Sequence, residues 1–170
     1  MAIVSERGVY ERLGVRRIIN GIGTVTRVGG SLMPPEVVEA MALASRSYVD
    51  LDELHQKAGE VVARCTGAEA GYVCAGAAAG LVLSTAACVA GSDPARIRRL
   101  PDTSGMKNEV IMHKSHRNGY DHAIRQVGVK LVEIGFANST APWELESAIG
   151  PNTAAVAYVV APWLQRSAAL

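Results

Sequence analysis

Three short stretches of this 170-residue sequence gather residues able to hold or act on a charged small molecule. The first, CAGAAAG, runs from Cys74 to Gly80 and sets three alanines between two glycines. If a helix starts here, the backbone N–H groups of Gly76, Ala77 and Ala78 lack partners and lie at the positive end of its dipole. That is an anion site, and side chains this small let a phosphate reach the backbone. The same small residues would equally let a helix lie close on a sheet. The pattern is neither GxGxxG nor a Walker A loop, so it does not point to a dinucleotide or to ATP.

The second stretch, HKSHRNGYDHAIRQVG, collects His113, His116 and His122 with Arg117, Asn118, Tyr120 and Asp121. No carboxylate or cysteine completes a ligand set at the usual zinc spacing, so no metal site is expected. A flat imidazole at the end of a strand can instead stack on a planar ring. His122 reads as a helix surface or capping residue, and His55 as the exposed side of another helix. The third stretch, NGIGTVTRVGG, offers Gly21 and Gly23 for unusual backbone geometry, with Thr24, Thr26 and Arg27 able to bind an anionic group. An ordinary loop with a solvated arginine fits it as well. Lys107 and Asn108, in PDTSGMKNEVI, read as solvated loop residues.

The elements around these stretches follow from periodicity and punctuation. Val9 to Leu13 is a short amphipathic piece. PPEVVEAMALASRSYV reads as a helix, with Pro34 and Pro35 at its first positions and Glu36 at its positive end. A second helix starts at an Asp50 cap, aligns Leu51, Leu54, Ala58, Val61, Val62 and Cys65 on one stripe, and stops at Gly67. Beyond it, strands at Ala70–Cys74, Glu109–His113, Lys130–Ile134 and Ala154–Val160 alternate with helices at Ala78–Ala90, Gly119–Val127 and Trp143–Ile149. Strands apolar on both faces and alternating with helices predict a mainly parallel α/β sheet flanked by helices. The helix Ala78–Ala90 is apolar nearly all round and is expected to be buried. Only APWLQRSAAL follows the last strand, so the fold is expected to be partial; a complete four-stranded domain is the other reading.

The bulk numbers agree with a globular domain: 49% hydrophobic residues and 19% charged ones can build a core. Aromatics contribute only 5%, so alanine and glycine fill the interior. A net charge of +1 gives no reason to expect nucleic acid or an anionic membrane as partner. Arg96, Arg98 and Arg99 read as a solvated helix face. Cys65, Cys74 and Cys88 form no CxxC pair and read as small buried hydrophobes in a reduced, cytoplasmic protein. The N-terminus carries charges where a signal peptide needs an apolar run, and no segment approaches the roughly 20 apolar residues of a membrane span.

Taken together and in order, the stretches resemble the N-terminal half of a fold-type I pyridoxal-phosphate enzyme. The group resembled is the one related to selenocysteine synthase (L-seryl-tRNA(Sec) selenium transferase) that includes D-glucosaminate-6-phosphate ammonia-lyase. The resemblance rests on YERLGVRRIINGIGTVTRVGGSLMPPEVVEAM, YVDLDELHQKAGEVVARCTGAEAGYVCAGAAAGLVL, LPDTSGMKNEVIMHKSHRNGYDHAI and AVAYVVAPWLQRS. It implies an N-terminal arm with helices over residues 1–66 and the first part of a pyridoxal-phosphate-binding α/β large domain over 67–170. Gly76, Ala77 and Ala78 would cradle the cofactor phosphate, and His116 would stack on its pyridine ring. Thr24, Thr26 and Arg27 would lie near an amino acid or amino sugar substrate, in a site shared between subunits of a homo-oligomer. The family's Schiff-base lysine and its pyridine-nitrogen aspartate have no counterpart here: Lys57, Lys107, Lys114 and Lys130 match no part of the lysine motif. The chain is therefore expected to bind rather than to catalyse alone. The competing expectations are an interaction protein that pairs with a full-length relative, and a small domain for another phosphorylated ligand.

Overall fold

The computed structural model describes residues 8–160, which pack as two units dividing between Leu54 and His55. The first seven of the N-terminal residues read against a leader, and the closing APWLQRSAAL, lie outside the described residues.

The first unit holds α1 (Val9–Arg12), a 3-10 turn at Thr26–Val28 and α2 (Pro35–Ala44). Helix α2 begins as its prolines dictate, with Pro35 inside the first turn and Glu36 beside it. None of this unit's described residues is buried, and Ile19, Leu32 and Tyr48 stand fully in solvent. Helix α3 (Leu51–Thr66) starts at the boundary. There Asp50 Oδ1 accepts the N–H groups of Asp52 at 2.9 Å and Glu53 at 3.0 Å, the cap expected from its position. Gly67, at φ +72°, ends the helix.

The second unit continues through α4 (Ala77–Ala90), α5 (Pro94–Arg99), β1 (Glu109–His113), a 3-10 turn at Lys114–His116 and α6 (Asp121–Arg125). It ends with β2 (Lys130–Ile134), α7 (Pro142–Ala148) and β3 (Thr153–Ala157). The three strands form a parallel sheet in the order β2-β1-β3, so the expected α/β class is the one observed. Strand β1 lies in the middle, with Val110 opposite Leu131 on one side and Ala155 on the other. Helix α4 packs on α6, α5 and β3, while α7 packs on β2. Val89, Met106, Val110, Met112, Ile124 and Val129 make the core between them. Among the described residues no helix is long and apolar enough to cross a membrane.

Several elements depart from expectation. Ala70–Cys74 pairs with none of the described strands; it lies against α3 instead, where Gly71 meets Gly59 and Val62. The last strand stops at Ala157 rather than Val160, and α6 is shorter than Gly119–Val127. Helix α4 is not buried all round: only Thr85, Val89 and Ala90 are, along the line that meets the sheet and α6. All three cysteines are exposed and free, since the segments that carry them turn only part of their apolar surface inward.

Gly128 closes α6 at φ +94°, and a Cβ added there would collide with the carbonyl oxygen of Pro101. Gly105 also has positive φ, +73°, but nothing lies within 4 Å of its missing Cβ. Gly128→Ala is expected to destabilise the second unit by about 3 kcal/mol or more, combining strain with overpacking. Gly105→Ala should cost only about 1 kcal/mol, the strain alone. Urea unfolding of both variants checks this; equal losses would contradict the geometry.

Candidate functional site

The segment leading into α4 is held against α3 rather than in the sheet. Gly59 and Gly71 bring their backbones together: a Cβ on Gly71 would lie 2.8 Å from the carbonyl oxygen of Gly59. The rings of His55 and Tyr72 meet beside them at 4.9 Å. The chain then turns at Gly76, whose φ of +101° and lack of a side chain leave α4 without a side-chain cap. The Gly76 N–H donates to Cys74 O at 2.9 Å and Gly80 N–H to Gly76 O at 3.0 Å. Among the described residues, the N–H groups of Ala77, Ala78 and Ala79 find no acceptor. Gly76, Ala77 and Ala78 are exposed, and a Cβ on Gly76 would meet nothing within 4 Å, so the approach to these donors is open. Three free N–H groups at the positive end of a fourteen-residue helix suit an anion.

The second stretch folds into a compact histidine cluster. His113 is the last residue of β1 and is 0% exposed; its Nδ1 lies 2.8 Å from Thr140 Oγ1. The 3-10 turn that follows carries His116, 1% exposed, to within 4.7 Å of the His113 ring, the planes tilted by 37°. Tyr158 meets both imidazoles edge-on, at 5.2 Å and 4.6 Å. The Val159 N–H donates to His116 Nδ1 at 3.3 Å, tying this turn to the chain just after β3. Nε2 of each histidine and Oγ of Ser115 are buried with no partner among the described residues. Burial pushes both imidazoles below their ordinary pKa, with the Glu144 carboxylate opposing it at His113 and the charge of His113 reinforcing it at His116. Both are neutral at pH 7. Tyr158 also borders a cavity of about 600 Å³ that Leu81, Cys88, Met112, Tyr120 and Ile124 help to line.

Charge pairing holds this turn in place. Asp121 is buried, and its carboxylate takes Arg117 Nε at 2.6 Å and Arg125 Nε at 3.0 Å. Arg117 reaches on to Glu133 of β2. The hydrogen bond from Arg117, then that from Arg125, keeps the Asp121 carboxyl below the usual carboxylate range, while Asp121 and, after it, Glu133 raise Arg117. Asn118 closes the turn, donating to His116 O at 2.9 Å and accepting the Tyr120 N–H at 2.8 Å. Glu144 binds the N–H groups of Gly135 at 2.8 Å and Ala141 at 3.1 Å, fixing the loop that carries Thr140.

The remaining sequence candidates stand apart. Thr24, Thr26 and Arg27 are exposed in the first unit, on and just before the 3-10 turn, and none of their side chains engages another described side chain. Lys107 is exposed, whereas Asn108 is structural, donating to Thr103 Oγ1 at 3.2 Å. His122 is exposed on α6. Among the described residues no three His, Cys, Asp or Glu side chains converge to hold a metal ion. Sequence reasoning missed Thr140, Tyr158 and Val159, and read His113 only as one of a polar group. Its place directly after the apolar run Val110–Met112 was the available sign that it would be buried.

No family model matches this chain. It is 43% identical over 155 residues to the D-glucosaminate-6-phosphate ammonia lyase of Salmonella typhimurium, covering 89% of this chain and 42% of that protein. A 5'-C-glycyluridine monooxygenase-decarboxylase of Streptomyces is 38% identical over 88% of this chain and 39% of its own length. The L-seryl-tRNA(Sec) selenium transferase of Nitratidesulfovibrio vulgaris is 30% identical over 91% of this chain and 33% of its own. A solved structure of D-glucosaminate-6-phosphate ammonia-lyase superposes with a TM-score of 0.88 at 41% identity, covering 92% of this chain and 44% of that one. The resemblance read from the sequence is thereby borne out, and this chain spans about two fifths of the ammonia lyase it matches.

The buried imidazoles set a pH dependence of definite sign. Their folded pKa values are depressed, so the unfolded chain takes up protons that the folded chain refuses. Stability is expected to be level above about pH 7 and to fall as pH drops through about 6.5. The contribution of Asp121 is lost separately, below about pH 4, where its carboxyl protonates. Urea midpoints measured across this range should show both windows. Replacing His113 and His116 together by Gln should flatten the upper window and leave the lower one; an unchanged upper slope would assign it elsewhere.

Proposed function

We propose, on the premise of that kinship, that this chain forms the cofactor-holding part of a pyridoxal-phosphate-dependent lyase or transferase acting on an amino acid or amino sugar. The observation that carries the reading is the open start of α4, where three N–H groups without acceptors lie behind a glycine of positive φ. The residues fit a phosphate: Ala77 and Ala78 are exposed, Ala79 is partly so, and the space beside Gly76 that a Cβ would occupy is open. Pyridoxal phosphate held there would supply an electron sink for bonds broken beside the substrate nitrogen.

This chain's own contribution is binding and orientation. Ala77, Ala78 and Ala79 hold the phosphate through their backbone N–H groups, and the helix dipole favours its charge. Gly76, expected as a third donor with Ala77 and Ala78, spends its own N–H on Cys74 O and contributes open space instead. His116 supports the ring; since His113 and Tyr158 now cover it, Tyr158 is the neighbour that yields. Thr24, Thr26 and Arg27 receive the anionic groups of the substrate in a site shared between subunits. A lysine to anchor the cofactor and an aspartate for its ring nitrogen come from sequence outside this chain, so catalysis requires another segment or subunit. Three free thiols suit a reducing, cytoplasmic setting.

The exposed apolar residues of the first unit, Ile19 and Leu32 among them, favour a second reading in which the chain pairs with a full-length relative. Co-expression separates the two, since stable mixed dimers belong to this second reading.

Titration of the purified chain with pyridoxal 5'-phosphate tests the first. Binding should require the phosphate and weaken at least about tenfold in Ala77→Asp, which sets a like charge at the donors while suiting the helix start. Borohydride reduction with peptide mapping should give no single stoichiometric lysine adduct. One such adduct would mean the chain supplies its own anchoring lysine and would overturn the division of roles. Binding indifferent to Ala77→Asp would remove the phosphate cradle.

A further inference from the structure

We infer that His116 is a directional hydrogen-bond donor in this site, its tautomer set by the Val159 amide so that Nε2–H meets an anionic oxygen of the bound ligand. The inference rests on the reading above and assigns the imidazole a task beyond lying against a ring. A neutral imidazole carries one N–H and one acceptor nitrogen. The Val159 N–H donates to His116 Nδ1, which must therefore be the acceptor, and the proton belongs on Nε2. That Nε2 is buried and has no partner among the described residues. Folded proteins rarely leave a buried donor unmet, so an unmatched one marks the place of an acceptor that arrives later. His113 gives no such directional signal: its Nδ1 faces a hydroxyl, which can donate or accept, and its tautomer stays open.

The surroundings say how the acceptor reaches it. On one side of His116 lies His113, fully buried and tied to Thr140. Beside it stands Tyr158, 48% exposed and bordering the 600 Å³ cavity. A ligand arriving from the cavity displaces the tyrosine edge and leaves the histidine pair in place. The acceptor is an anionic oxygen, since a neutral N–H in a desolvated site gains most from a charged partner. Two groups in the proposed reaction can carry one: the pyridoxal phosphate itself and the carboxylate of an amino-acid or acidic amino-sugar substrate.

The test has two parts on the full chain. Side-chain ¹⁵N NMR of the unliganded protein should show His116 with a pyrrole-like Nε2 and a pyridine-like Nδ1; a proton on Nδ1 would overturn the inference outright. Binding is then measured for the unaltered chain, His116→Phe and His116→Gln, with pyridoxal 5'-phosphate alone and then with 6-phosphogluconate added. The phenylalanine keeps a flat ring and loses the donor, while the glutamine offers an N–H at about the Nε2 position. Phenylalanine should weaken one of the two ligands by about tenfold, and glutamine should recover part of it. Which ligand suffers names the source of the oxygen. Phenylalanine binding both ligands as tightly as histidine would leave only a stacking role and sink the donor. Failure of the unaltered chain to bind pyridoxal phosphate would remove the proposed function and this role with it. That outcome is told apart from a wrong tautomer because the NMR signature is read without ligand.

Discussion

Val110, Ile111, Met112 and His113 lose nearly all contact with water because β1 has a parallel neighbour along each edge and helices over the sheet. A strand in that position has no freedom left in register: a slip by one residue would carry Val110 and Met112 to the face now filled by Ile111 and His113, and those two to the opposite face. The histidine cluster inherits this precision. His113 is the strand's last residue, and the turn holding His116 begins at the next one. Two imidazoles are thus positioned by backbone hydrogen bonds of the sheet before any side-chain contact is counted.

What surrounds them is graded in polarity. The charged network of Arg117, Asp121, Arg125 and Glu133 sits between α6 and β2 and satisfies each of its buried atoms. The histidines, by contrast, are kept neutral by burial and are the side chains left with unmet nitrogen atoms. A protein that pairs every buried charge nearby and yet leaves these atoms unpaired concentrates its unspent hydrogen-bonding capacity in one place. The start of α4 does the same with backbone groups, at a point where the chain has no side chain to offer as a cap.

Local signals were legible in the sequence and relational ones were not. The Asp50 cap, the prolines of α2, the Gly91 stop of α4 and the strands at 109–113 and 130–134 follow from residues within a few positions of one another. Ala70–Cys74 has the composition of a strand but pairs with none of the described strands. Instead Gly59 and Gly71 bring that segment onto α3, a contact encoded by two missing side chains twelve positions apart. The anion-binding geometry at Gly76 could be read because it is a property of one helix start. The state of His116 could not: it depends on Val159, 43 residues further on, and nothing in either neighbourhood announces the other.

That span has a bearing on how the molecule is assembled. The helices and the 3-10 turn draw on contacts within a few residues, whereas β3 must return across a long loop to lie beside β1, and the entropy of closing such a loop makes parallel pairing late. Until it docks, the Val159 amide is elsewhere and the proton on His116 is free to reside on either nitrogen. Acquiring a defined chemical state at this imidazole is then the same event as docking β3 beside β1. The ring serves as an internal witness to assembly, recording in the position of a single proton whether β3 has arrived.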